Sequence, residues 1–394
     1  MNYILFDDAS RTNLLPLTFT RPVADIRIGI LTIREKWEKI LQTKTSSKTE
    51  DYLSKKYPTE FTIDTDNVWV NGAVCPNEKL IEEIKTLKPN EVLMDSAKVV
   101  AANTGNLKSF DATALTDFTK YESHAKAMSI ENPWDIFSKN GDAIKSDFEL
   151  ITKGRKSLAL SSTNQIIAPE NIFVEEGAVV ECAILNASTG PIYIGKDAEI
   201  MEGSIVRGPF SLGEHSALKL GAKIYGPTTI GPHSKVGGEV NNSVILGFSN
   251  KAHDGFLGNS VLGEWCNIGA DSNNSNLKNN YAEVKLWNYD KERFVGTGLT
   301  FCGLIMGDHS KCGINTMFNT GTVVGVNANI FGSGFPRNFV ASFSWGGAAG
   351  FTTYKLKDAF EVASKVFERR SMVFDETEQE ILTHVFELTE KYRK

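Results

Sequence analysis

Aliphatic residues recur at every sixth position through the middle of this chain, and that period constrains the fold more than any other feature. Ile194, Ile200, Val206, Leu212, Leu218, Ile224, Ile230 and Val236 stand in one register. With roughly one aliphatic residue in three, such a run arises by chance on the order of once in several thousand trials. A weaker series precedes it at Ile166, Ile172, Ala178 and Ile184, and another follows at Met306, Cys312, Phe318, Val324 and Ile330. Glycine directly follows the aliphatic residue at Gly195, Gly213, Gly231 and Gly237, and again at Gly307, Gly313 and Gly325. Six residues make one short strand and one tight corner. Stacked units therefore give a parallel β-helix whose interior takes one aliphatic side chain per unit. A sandwich or barrel would space its strands by about 8–12 residues instead. The register slips between Val236 and Leu246 and vanishes between Ala270 and Gly303. Insertions in a solenoid become loops on one face. The second gap holds two β-prone runs, residues 281–287 and 293–295, which predict a protruding hairpin.

Glycine also divides the chain. Residues 1–150 contain four of the 33 glycines, so a second architecture that turns less often precedes the repeat. Its pattern is α/β: strands near residues 3–6, 68–70 and 91–94, helices over 29–41 and 77–87, a polar loop over 44–56, and a last helix beginning at Pro133. Strands alternating with helices predict a mostly parallel sheet. Residues 354–394 carry apolar side chains at helical spacing, predicting two short helices over the open end of the stack, which a solenoid needs. Three segments follow: an α/β domain over 1–150, the β-helix over 151–350 and a helical cap over 351–394.

The net charge of −6 argues against a nucleic-acid partner. The first residues read as a strand and no run is long enough to cross a bilayer, so a cytoplasmic protein without a membrane role is expected. The five cysteines show no metal or redox spacing and read as buried thiols of a reducing compartment. His215 and His233 stand eighteen apart, which predicts stacking one coil above the other and not a metal site.

Of the six histidines, His253 falls where the register slips, followed by Asn267-Ile268-Gly269-Ala270 and an amide-rich run from Ser272 to Asn280. Such a run makes a poor core and a good hydrogen-bonding wall for a sugar. These residues resemble the bifunctional enzymes that acetylate glucosamine-1-phosphate and couple the product to uridylate, in a divergent, shortened form. Lys251-Ala252-His253, Leu257-Gly258 and Asn267-Ile268-Gly269-Ala270 carry the likeness, over residues 190–335. The resemblance implies a left-handed β-helix assembled as a homotrimer, with acetyl-CoA and an amino-sugar phosphate as substrates. It also implies His253 as the base for the amine, Asn267 and Asn276 holding the sugar beside Lys251, and Ala270 and Gly313 flanking the CoA arm. Glu239, in the first slip, is a candidate to orient the histidine or the amine. The family's tyrosine three residues after the histidine is Phe256 here, and its Asn-Tyr-Asp is Asn276-Leu277-Lys278, so the phosphate contact is expected from Lys278, Lys223 or Arg207.

The amino-terminal half of that family is a nucleotidyltransferase with a glycine-rich phosphate loop. The corresponding stretch here, Asp7 to Pro16, contains no glycine; Arg11 and Arg21 are its candidate nucleotide contacts. A remnant or altered nucleotidyltransferase domain is implied, taking UTP and Mg²⁺ only if active. Two further readings stand beside acyl transfer: a sugar-1-phosphate nucleotidyltransferase and a non-catalytic trimeric scaffold that binds sugar nucleotides.

Overall fold

A computed structural model describes residues 1–393. The chain forms two compact units that divide at Asn132/Pro133, with Leu15–Phe19 and Arg27–Ile30 belonging to the second.

Unit 1 holds a six-stranded sheet: β1 (Asn2–Phe6), β2 (Ser46–Lys48), β3 (Asn67–Asn71), β4 (Glu91–Asp95), β5 (Lys98–Asn103) and β6 (Thr119–Glu122), in the order β2-β1-β3-β5-β4-β6. The sheet is mixed. β1 is parallel to β2 and β3, and β4 to β6, whereas β5 is antiparallel to both its neighbours. The polar run around residue 46 supplies an edge strand because its hydrogen bonds to β1 do not require apolar side chains. A short α1 (Ser10–Asn13) follows the first strand, and α2 (Ile33–Leu41) starts at a capping box. Thr32 Oγ1 accepts from Glu35 N at 3.1 Å, and Glu35 Oε2 accepts from Thr32 N at 2.7 Å, so two free N–H groups of the first turn are met reciprocally. α3 (Glu78–Lys85) is capped by Asn77, whose Oδ1 accepts from Leu80 N at 2.8 Å.

Unit 2 is a parallel β-solenoid of about ten turns with helices at its carboxy-terminal end. Three strands per coil build three faces. Face 1 runs from Gln165–Ile167 to Phe256–Gly258, face 2 from Ile172–Val174 to Phe339–Val340, and face 3 from Val179–Val180 to Ser344–Gly347, closed by an antiparallel strand, Gly350–Thr353. The hexad series is the interior: Ile194, Leu212 and Ile230 stack inside face 2, Ile200, Leu218 and Val236 inside face 3, and Val206 and Ile224 inside face 1, all essentially buried. The earlier series is out of phase. Val180 and Leu185 point inward and Ile184 does not, while Ile166 and Ala178 pack against the interior only partly buried. The inside of one corner column is lined by Ser216, Ser234, Ser249, Cys266 and Ser310, small side chains that hydrogen-bond backbone groups of neighbouring coils.

The register slips because coils shorten: Val236 pairs with Lys251, fifteen residues on, where earlier partners lie eighteen apart. The second gap forms the antiparallel hairpin Lys285–Asn288/Arg293–Gly296. It does not protrude as expected. Val284, Leu286 and Tyr289 are buried, and Trp287 stacks on Phe339 of face 2 at 4.3 Å.

α4 (Pro133–Ser138) and α5 (Asn140–Thr152) also belong to unit 2. The buried carboxamide of Asn140 accepts from Gly29 N at 2.8 Å and donates to Pro227 O at 3.1 Å, and Asp147 accepts from Ile30 N at 2.8 Å, sewing the inserted segment to the solenoid. α6 (Leu356–Glu368) and α7 (Glu376–Leu388) supply the two expected helices, but α6 does not lie over the open end. α6 lies along an edge of the stack, where Phe367 packs on Trp265 at 4.0 Å. That edge is a ladder of rings: His215 on His233 at 4.9 Å, His233 on Phe248 at 4.9 Å, and Phe248 on Trp265 at 4.4 Å. The two histidines thus stack as their spacing predicts. Cys182 is exposed, against the expectation of five buried thiols.

Candidate functional site

A groove of about 380 Å³ crosses face 3 and unites His253 with Asn267. Its floor is the outward-facing residue of successive coils, Lys235, Asn250, Asn267 and Lys311, each beside an inward position of the core. Phe248 and Trp265 stand at the corner entering the face, Ala252 and His253 at the corner leaving it, and Val366, Arg369 and Arg370 at the end of α6 close the side. Four cations line the groove and no carboxylate does. None of the four forms an ion pair among the described residues, so their field reaches solvent. Lys311 donates to His309 O at 2.7 Å, and burial pulls its ammonium down to about 8.

The His253 corner is held from below. Lys251 occupies an interior position, where the coil beneath has Val236. It is 1% exposed, and its Nζ donates to His253 O at 2.6 Å. Burial draws its ammonium down to about 8, against the pull of Asp254 and Asp271. A buried ammonium requires such an acceptor. This corrects the expectation that Lys251 meets substrate: inside the stack it props the carbonyl of the histidine and leaves the imidazole exposed at the groove. Gly238, at φ +70°, lies under the same corner, and a Cβ there would sit 2.8 Å from His253 O and 2.9 Å from the Lys251 ammonium. Only glycine fits.

Ala270 and Gly313 occupy the corners of the next two coils, linked by Asn315 N donating to Ala270 O at 2.8 Å. The amide run has a structural use. Asn273 Oδ1 accepts from Phe256 N at 2.7 Å, Asn274 Oδ1 accepts from Gly258 N at 2.9 Å, and Asn276 Nδ2 donates to Asn259 Oδ1 at 2.8 Å. These side chains bind one coil to the next, and Asn267 stays unengaged in the groove.

Glu239, Lys223 and Arg207 lie on face 1, away from the face 3 groove. Glu239 accepts from Tyr225 Oη at 2.5 Å, which pushes the tyrosine up to about 12 through that bond, and it forms no hydrogen bond with His253. Lys278 donates to Glu283 O at 2.8 Å and lines a different cavity.

Arg11 and Arg21 are buried in unit 1. Arg11 faces Asp7 at 3.4 Å and Glu50 at 3.5 Å and donates to Tyr52 Oη at 2.9 Å. The turn after β1, where a phosphate loop would sit, is filled by its own carboxylates. Asp7 accepts from Val23 N at 2.8 Å and Thr49 Oγ1 at 2.6 Å, and Asp8 accepts from Ser10 N at 2.9 Å and Asn71 Nδ2 at 2.7 Å. Burial pushes the Asp7 carboxyl up to about 6 despite these bonds and Arg11.

Lys235, Lys311, Arg369 and Arg370 are missing from the sequence-based candidates. Lys235 and Lys311 share the register position of Asn267, immediately before an inward residue, and that signal could have found them. Nothing in the sequence marks Arg369 and Arg370, which reach the groove only through the packing of α6.

Against known proteins, residues 3–156 match the model of the sugar nucleotidyl transferase family. That match sits on the half that lacks the glycine loop. The relatives are more particular. The chain is 35% identical over 144 residues to a bifunctional sugar-1-phosphate nucleotidylyltransferase/acetyltransferase of Sulfurisphaera tokodaii, covering 36% of this chain and 35% of that one. It is 27% identical over 226 residues to the bifunctional protein GlmU of Methanocaldococcus jannaschii, covering 54% and 48%. The matches thus span half or less of these relatives. The resemblance to bifunctional nucleotidyl- and acetyltransferases read from the sequence stands, at low identity. An Arabidopsis UDP-N-acetylglucosamine acyltransferase superposes with a TM-score of 0.26 at 17% identity, over 52% of this chain and 77% of that one. No helix among the described residues is long and apolar enough to cross a membrane.

Proposed function

We propose that the chain is a sugar-phosphate transferase that moves an acetyl group from acetyl-CoA to the amine of an amino-sugar phosphate such as glucosamine-1-phosphate. The observation that carries this reading is the groove itself: an exposed imidazole and a free carboxamide in a channel whose four cations carry no ion pair. The His253 imidazole accepts the proton of the acceptor amine, whose lone pair attacks the thioester carbonyl. A C–N bond forms, the C–S bond breaks, and the CoA thiolate leaves and is protonated. A positioned base of this kind contributes about 10²- to 10⁴-fold. Asn267 holds the sugar, and Lys235, Lys311, Arg369 and Arg370 attract the phosphates that both substrates carry. Ala270 and Gly313 flank the CoA arm, and homotrimeric assembly follows the resemblance. Thiol release from acetyl-CoA with glucosamine-1-phosphate, measured for the wild type beside His253→Ala, tests this. Release that persists in the variant removes His253 from the mechanism, and no release or acetyl-CoA binding in the wild type removes acyl transfer.

A second reading, sugar-1-phosphate nucleotidyl transfer, is favoured by the family match over residues 3–156. Against it, Asp7 and Asp8 already occupy the backbone donors that would cradle a phosphate, and two carboxylates repel one. Pyrophosphate release with UTP, Mg²⁺ and a sugar-1-phosphate decides it.

A further inference from the structure

A second cavity belongs neither to the face 3 groove nor to unit 1. It measures about 670 Å³ and lies between the hairpin of the long insertion and the residues that enter the last coils of face 2. Trp287, Phe294 and Phe339 supply rings, Lys278, Lys285 and Arg337 supply cations, and Thr320 and Asn338 supply small polar groups. Trp287 and Phe339 are stacked with 14° between their planes, and Phe294 stands edge-on to Trp287 at 5.5 Å. Phe294 is 42% exposed, which leaves an aromatic face of this wall open to solvent. No carboxylate lines the cavity.

The volume suits a drug-sized ligand. Rings recognise a planar π-system and the cations an anion. A ligand that answers both is a planar heterocycle carrying phosphate. The geometry points to a nucleoside-phosphate site in this cavity, separate from the His253 groove. The base lies on Phe294 and the Trp287–Phe339 stack, and the phosphate lies between Lys285 and Arg337. The site goes beyond the acyl-transfer reading and stands or falls by binding alone, with no turnover needed.

Two sources offer this chemistry, a free uridine nucleotide and the adenosine end of CoA. Calorimetric titration of the full chain with UMP, adenosine 3′,5′-bisphosphate, uridine and inorganic phosphate tests the site and separates them. At least one nucleotide should bind at least tenfold more tightly than uridine or phosphate, and whichever nucleotide binds names the source. Phe294→Ala and Arg337→Glu, both at exposed positions, should each weaken that binding about tenfold, and His253→Ala should leave it unchanged. Phosphate binding as tightly as the nucleotide, neither nucleotide binding, or nucleotide affinity unmoved in both the Phe294→Ala and Arg337→Glu variants would each overturn the proposal.

Discussion

The buried sites of unit 1 and the face 3 groove of unit 2 use their cations in opposite ways. In unit 1, positive charge is cancelled internally: Arg11 lies among Asp7, Glu50 and Tyr52, Arg34 makes a bidentate pair with Asp25 at 2.8 Å on both nitrogens, and Lys98 reaches Glu131 at 3.3 Å and Asp8 at 4.0 Å. In the face 3 groove of unit 2, Lys235, Lys311, Arg369 and Arg370 line open space without a carboxylate. A paired cation organises a fold. An unpaired one in a concave site offers its field to an anionic ligand.

That contrast can be broken most sharply at the site. His253→Ala should lower acetyl-CoA thiol release by about 10²- to 10⁴-fold without unfolding the chain, since the imidazole is exposed. Equal loss on disabling the unit 1 turn would erase the distinction. Stability should also differ in origin. Leu212, fully buried inside face 2, belongs to a column repeated in every coil, so Leu212→Ala should cost about 2–5 kcal/mol in urea unfolding. A loss below 1 kcal/mol would mean that the stack collapses around the gap.

Titration sharpens the comparison, because the buried ionisable groups of the two units bend stability in different pH windows. Asp7 is raised to about 6 from an ordinary 3.8. Its contribution is therefore full below the ordinary value and is lost as pH rises through 6, by about 3 kcal/mol at most. Lys251 is lowered to about 8 from 10.5. Its contribution is full above the ordinary value and is lost as pH falls through 8, again by about 3 kcal/mol at most. Urea midpoints should fall between pH 4 and 6 in a manner that Asp7→Asn abolishes. Between pH 8 and 10 the wild type should gain stability relative to Lys251→Met; Lys311 acts in the same sense, and the buried Cys266, Cys302 and Cys312 thiols act in the opposite one. A Lys251→Met profile identical to the wild type would place that lysine's charge outside the account. The smallest effect is local: Thr32→Ala removes half of the capping box and should cost about 1 kcal/mol, read as a drop in melting temperature.

Much of this was legible in the chain before folding. The hexad from Ile194 to Val236 specified the three-faced stack, because a period of six forces one inward aliphatic side chain per short strand. The helices expected over 29–41, 77–87 and the two within 354–394 announced themselves by apolar spacing, and they form over 33–41, 78–85, 356–368 and 376–388. The mixed sheet was not legible: β5 reads as an ordinary apolar run, and its direction depends on partners far along the chain. At the site, His253 stood out through scarcity and its place in the register and Asn267 through the family resemblance, and both line the groove. Lys251 was misread because an interior lysine has no local signature. Its burial is settled by pairing with Val236 one coil away.

The sequence by itself determined the solenoid, its interior and the corner that carries His253, since these follow from periodicity and from glycine at positions no side chain can occupy. Only the tertiary structure decided the electrostatics of the groove. Arg369 and Arg370 lie more than a hundred residues from His253, and their charge counts there only because Phe367 packs on Trp265 and lays α6 along the edge of the stack. Periodicity is local and additive along a chain, whereas a field in a cleft is a sum over distance that folding alone can set.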